Sequence, residues 1–142
     1  MSQNSARDLP LDFTHAQDFI DAVVRMALSE GVSDLHFEQR GEEGVLRVRL
    51  DGFMREWVRL PLEKMALVIS RLKFISNLDP MQSGVLAQGR FEHTEGDRVY
   101  DMRLSVLPTP ESDDIVVRLL AAAPDVMHLE EMNFQPHILS GL

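Results

Sequence analysis

The chain has 142 residues, 44% of them hydrophobic, no cysteine and a formal net charge of -9. That is enough apolar material for one domain with a buried core. It excludes a disulfide framework and a thiolate zinc site, so any metal would need histidine and carboxylate ligands.

The negative total argues against a nucleic-acid-binding surface, but the charge is uneven. Residues 1–44 hold 3 basic and 9 acidic side chains, residues 45–103 hold 10 and 8, and residues 104–142 hold 1 and 6. A slightly cationic middle between acidic flanks leaves room for a local anion site there. Residues 1–13, "MSQNSARDLPLDF", read as a flexible lead-in without the apolar stretch of a secretion signal. No run approaches the roughly 18 apolar residues of a membrane span. The expectation is a cytoplasmic chain.

Thr14 with Gln17 three residues on makes a capping-box pattern, which predicts a helix ending near Glu30 with Gly31 as its stop. Ile20, Val23, Val24 and Ala27, flanked by Phe19 and Leu28, give it an apolar stripe suited to packing on a sheet. Val32 to Glu38 reads as a strand, and "QRGEEG" as a surface turn. In "VLRVRLDGFMREWV", two alternating runs flank Asp51-Gly52, a preferred pair for a two-residue hairpin turn. That turn predicts Leu50 opposite Phe53, Val48 opposite Arg55, Arg47 opposite Glu56 and Leu46 opposite Trp57. Leu46, Val48, Leu50, Phe53 and Trp57 would share an apolar face, with Arg47 and Arg49 opposite and Glu56 as a cross-strand partner.

Pro61 opens a second predicted helix that runs to about Ser76 and buries Met65, Val68, Ile69, Leu72 and Ile75. Lys64, Arg71 and Lys73 lie off that stripe, which makes Arg71 and Lys73 candidates for an interface. After "NLDPMQSG" comes a second predicted hairpin around Glu95-Gly96-Asp97. Its second strand alternates Tyr100, Met102, Leu104 and Val106 with Asp101, Arg103 and Ser105. "DDIVVRLLAAA" supplies one more strand. The predicted class is α+β, a mainly antiparallel sheet with flanking helices.

"SDLHFE" places Asp34, His36 and Glu38 on one face of a strand. From the rise of ~3.3 Å per residue, neighbours among them stand about 7 Å apart, so a small cation would touch at most two. Local hydrogen bonding of His36 and closure of the turn after Gly31 by Asp34 are the expectation, and a metal-dependent enzyme at these three residues is disfavoured. His15, His93, His128 and His137 show no ligand spacing. The sequence contains no GxxxxGK[ST] phosphate loop, no GxGxxG, no GxSxG and no cysteine nucleophile. Arg90 and Arg103 have an ordinary reading as surface partners of Glu92 or Asp101.

Several separated segments together resemble one family, the ATPases of type II secretion and type IV pilus assembly, in the region just before their motor domain. That region carries "[AG]SDIHIE", "VRFRIDG" continuing "VLRE", "ISRIKVMAGLD", "PQDGR" and "VRVSTLPT…GERIVLRLL". Here "VSDLHFE" from Val32, "LRVRLDGFMRE" from Leu46, "ISRLKFISNLD" from Ile69, Gly89-Arg90, "MRLSVLPT" from Met102 and "IVVRLL" from Ile115 stand in the same order. The resemblance implies a PAS-like domain over residues 14–122, followed at 123–142 by a connector toward a RecA-like motor supplied in cis or in trans. It implies a non-catalytic regulatory role, subunit contacts in a homo-oligomer that is hexameric in the family, and an indirect link to an inner-membrane platform. ATP and Mg would belong to the motor and no cofactor to this chain.

By resemblance, Arg90 and Arg103 match arginines that approach ATP phosphates. Two departures stand against this: "EKRLPQDGR" becomes "QSGVLAQGR", and the "HGER" loop becomes Glu111, Ser112, Asp113 and Asp114, adding negative charge where phosphate would pass. The alternative expectation is a stand-alone PAS-like small-molecule sensor, or an adaptor for a separate motor.

Overall fold

A computed structural model describes residues 8–122. The proposed connector at 123–142 and the first seven residues of the lead-in lie outside the described residues. Helix α1 spans Ala16–Glu30, strand β1 Asp34–Arg40, β2 Glu43–Leu50 and β3 Phe53–Pro61. Helix α2 spans Leu62–Ile75, followed by β4 Ala87–Glu95, β5 Arg98–Pro108 and β6 Asp113–Ala122. The fold is α+β: one six-stranded sheet in the order β3-β2-β1-β6-β5-β4, every neighbouring pair antiparallel. Among the described residues no helix is long and apolar enough to cross a membrane.

Strand alternation divides the sheet. Leu35 and Phe37 of β1, Leu46 and Val48 of β2, Met102, Leu104 and Val106 of β5, and Ile115 and Val117 of β6 are all buried. They meet Phe19, Ile20, Val23, Val24 and Ala27 of α1 and Met65, Val68, Ile69 and Leu72 of α2 in one core. The residues between them on each strand face the opposite way, onto a side that neither α1 nor α2 covers among the described residues.

Helix α1 stops where the sequence predicts: Gly31 takes φ 81, and its N–H donates to Ala27 O at 3.0 Å. Its start differs. His15 occupies the N-cap without a side-chain cap bond, so Gln17 falls too early to close a capping box. Its amide donates to Asp21 Oδ1 at 2.9 Å instead. Part of the expected flexible lead-in is anchored: Leu9 and Phe13 are buried, and the Phe13 and Phe19 rings lie 5.2 Å apart.

The β2–β3 turn has φ 55 at Asp51 and φ 81 at Gly52, the two positive values that a type I′ hairpin requires. Leu50 pairs with Phe53, Val48 with Arg55 and Arg47 with Glu56. The predicted pairing of Leu46 with Trp57 does not form, because a bulge between Leu46 and Arg47 places Leu46 opposite Val58. The extra residue turns two successive side chains inward, and both Trp57 and Val58 are buried. Phe53, expected on the apolar face, stays 69% exposed at the hairpin tip, beyond the reach of the helices.

Gly44 lets α2 lie directly on β2. A Cβ there would overlap Met65 Cβ and Cγ. Gly44→Ala should therefore cost about 1–3 kcal/mol by overpacking, read as a lower urea midpoint with an unchanged slope.

Candidate functional site

The strand register builds a row across the uncovered face. Arg90 of β4 pairs with Arg103 of β5, Arg103 with Arg118 of β6, Arg118 with Asp34 of β1, and Asp34 with Arg49 of β2. Three arginines thus stand side by side, one on each of three adjacent strands. Arg90, Arg103 and Arg118 line one shallow depression with Gln88, Ser105 and Val116. The Arg90 and Arg118 side chains are 63% and 68% exposed.

Like charges directly opposite on neighbouring strands oppose folding. At the ~4.8 Å strand spacing each pair costs on the order of 1 kcal/mol in water, less with salt. Carboxylates relieve the two ends of the row. Asp101 Oδ1 sits 3.5 Å from Arg90 Nη2, one of the surface partners expected from sequence. At the other end Asp34, only 5% exposed, accepts from Arg118 Nε at 3.0 Å and from Ser33 Oγ at 3.0 Å, with Arg49 Nε at 3.7 Å. Arg103, in the centre, makes no ion pair among the described residues.

The side chains of "SDLHFE" are thereby accounted for. Asp34 holds Arg118 and closes onto Ser33, while Glu38, also buried, takes Arg40 Nη2 at 3.2 Å and Arg47 Nη1 at 3.4 Å. Arg47 was expected to pair across the hairpin with Glu56. It turns to Glu38 because Glu56 is held in two bonds by Arg59, at 2.7 and 3.0 Å. His36 lies between the two carboxylates, its Nδ1 4.0 Å from Glu38. Burial lowers its pKa; Glu38 and Asp34 oppose that shift, and Arg47 and Arg49 reinforce it.

The basic residues of α2 do not form a free face. Arg71 is exposed but donates Nε to Gln17 at 2.8 Å and lies over the Phe74 ring. Lys64 donates to Phe13 O and covers the Phe13 ring. Lys73, expected off the buried stripe as an interface residue beside Arg71, is 5% exposed and points inward. Its Nζ bonds Asp113 Oδ2 and Gln82 O, each at 2.8 Å, and Asp113 Oδ1 accepts from Gly84 N at 3.1 Å. This pair pins the loop that leads into β4 and Arg90.

The same geometry removes two of the three acids of that loop from the expected reading, while Glu111 stays exposed. Asp113 and Asp114 are both buried, Asp114 against Arg40 Nη1 at 3.2 Å. They start β6, four or five residues before Arg118, or roughly 13–17 Å along the strand, so they bring no free negative charge to the arginine row. Arg118 was missing from the candidates read in the sequence. Its signal was the alternation of "IVVRLL", which puts Val116, Arg118 and Leu120 on the face opposite Ile115 and Val117.

The chain is thus an α+β domain with three arginines gathered on one face of its sheet. Residues 11–141 match the family described as type II/IV secretion system protein, and the chain belongs to that family. It is 35% identical over 130 residues to the type IV pilus assembly ATPase PilB of Thermus thermophilus, covering 92% of this chain and 15% of that protein. It is 33% identical to type II secretion system protein E of Pseudomonas aeruginosa, covering 80% of this chain and 22% of the relative. The type II secretion system ATPase E of Vibrio cholerae is likewise 33% identical, over 83% of this chain and 24% of its own length. The chain thus spans less than a quarter of each of these relatives.

Two outcomes are expected from the site's buried charges. Lys73→Met should cost about 3–5 kcal/mol in urea unfolding, since it leaves buried Asp113 without its cation, held only by the Gly84 N–H. For His36, the folded pKa lies below the ordinary 6.5, so the unfolded chain takes the proton more readily. Stability should fall as pH drops below 6.5 and level off once folded His36 is also protonated. Between pH 7.5 and 5.5, His36→Gln should therefore lose less stability than the wild type in parallel urea titrations.

Proposed function

We propose that this chain is a non-catalytic domain that works with the RecA-like motor of a secretion or pilus ATPase, in cis or in trans, and couples bound nucleotide to domain position. Arg90 and Arg103 meet the phosphates of ATP held with Mg by that motor, within a homo-oligomer whose neighbouring subunits this domain contacts. The observation that carries the reading is the arginine row: adjacent guanidinia, exposed and mutually repelling, with Arg103 free of any carboxylate among the described residues. A guanidinium forks onto phosphate oxygens and keeps its charge, so an anion would relieve the repulsion that the fold leaves in place. If contact with the nucleotide forms only when the two domains close, triphosphate and diphosphate states favour different positions of this domain. Motor and secretion partners come from the family, whose matched members include ATPases of type IV pilus assembly and type II secretion.

Binding of the 142-residue chain to a purified RecA-like motor domain of a secretion ATPase tests this. Affinity should be higher with a non-hydrolysable ATP analogue than with ADP, and Arg90→Gln with Arg103→Gln should abolish the difference, at roughly tenfold per lost arginine. Equal binding in both nucleotide states would overturn the proposal. So would ATP hydrolysis by the chain alone that survives stringent purification.

A further inference from the structure

We infer that Arg118 is a third phosphate-contacting arginine of the same row, and that the buried carboxylate of Asp34 is the residue that positions it. The inference rests on the proposal that Arg90 and Arg103 meet phosphates. It extends that site from two side chains to three.

The register puts Arg118 directly opposite Arg103, as Arg103 is opposite Arg90, and all three line the same depression. Arg118 is the most exposed of the row's ion-paired arginines, at 68%, yet it is held at one point: its Nε donates to Asp34 Oδ1 at 3.0 Å. Binding through Nε leaves the Nη groups without a partner among the described residues, and these form the end of the fork that takes an oxyanion. Asp34 is fixed in its turn, by burial to 5% exposure, by the Ser33 hydroxyl at 3.0 Å and by Arg49 at 3.7 Å. A guanidinium tethered through one nitrogen has lost most of its rotamer freedom before any ligand arrives, so less entropy is lost on binding.

The span of the row sets the class of ligand. At ~4.8 Å between strands, the Arg90 and Arg118 backbones stand about 10 Å apart. One phosphate can be forked by two neighbouring arginines, whereas engaging all three takes a chain of phosphates. The charges agree. With Asp101 turned toward Arg90 and Asp34 toward Arg118, the three arginines face two carboxylates and keep a net positive charge.

The test is calorimetric titration of the full 142-residue chain with sodium tripolyphosphate and, separately, with orthophosphate. The wild type should bind tripolyphosphate more tightly. Arg118→Gln should weaken tripolyphosphate binding about tenfold and change orthophosphate binding little. Arg118→Lys, which keeps the charge and loses the fork, should recover only part of the loss. Asp34→Asn should weaken tripolyphosphate binding in the wild-type background and have no further effect on top of Arg118→Gln. A merely structural Asp34 would instead give additive losses, and thermal melts by circular dichroism establish that each variant is folded.

If Arg103→Gln lowers affinity while Arg118→Gln leaves it unchanged, the inference is overturned and the reading of Arg90 and Arg103 stands. If none of the three arginine variants alters binding, or if the wild type does not bind tripolyphosphate saturably, the inference is overturned, and the reading of Arg90 and Arg103 is decided by the nucleotide-state binding to the motor domain.

Discussion

The pairing of β1 with β6 is the constraint on which the rest of the molecule depends. The β2–β3 and β4–β5 hairpins and the β1–β2 and β5–β6 connections are local, closed by short turns, and each half of the sheet folds back on itself. Among the described residues the β1–β6 ladder is the one strand pairing between the halves, through four residue pairs from Asp34–Arg118 to Phe37–Ile115, between positions up to 84 residues apart. Bringing such distant segments together carries a loop-closure cost before any contact rewards it. Both faces of the ladder offset that cost. Leu35, Phe37, Ile115 and Val117 are buried beneath it against the helices, and Asp34 bonds Arg118 above it.

This junction also makes the candidate site. Arg90 and Arg103 are neighbours by virtue of a hairpin alone, but Arg118 meets Asp34 only once β6 lies beside β1. The buried Lys73–Asp113 pair acts at the far end of β6. It ties the loop before β4 to the start of that strand, so the approach to Arg90 and the strand bearing Arg118 share an anchor. Replacing such a pair with apolar residues is often neutral, whereas breaking it is costly. Its value here is better sought in the loop geometry it specifies than in net stability.

What the sequence made legible was local. The Asp51-Gly52 turn, the Gly31 stop, the apolar stripes of both helices and the alternation of β5 each depend on neighbours a few residues away, and each appears in the structure. Much of what escaped depended on partners outside the local pattern. Whether Trp57 or Val58 faces Leu46 is decided by a bulge that the core rewards. The direction of Lys73 is decided by Asp113, 40 residues on. The motif "SDLHFE" invited a metal reading because three ligating residue types alternate on one face. Its carboxylates instead belong to arginines on β1, β2 and β6, whose proximity the strand order alone reveals.

Arg90 and Arg103 could be picked out through the resemblance, but their composition did not show why they would matter. The physical reason lies in the register. Beneath the sheet apolar residues face each other at Leu35–Val48, Phe37–Leu46, Leu104–Val117 and Val106–Ile115, and above it opposite charges meet at Asp34–Arg49, Asp34–Arg118 and Arg47–Glu56. Like charges stand directly opposite once at Glu92–Asp101, and twice in succession at Arg90–Arg103 and Arg103–Arg118. A fold that elsewhere encloses even Lys73 with a matching carboxylate leaves this repulsion standing in water. Departures from local consistency of this kind concentrate where a sequence answers to something outside its own stability. The buried Asp34 argues the same way, because it restrains one of the arginines without removing its exposed, unpaired end from the face where an anion can reach it.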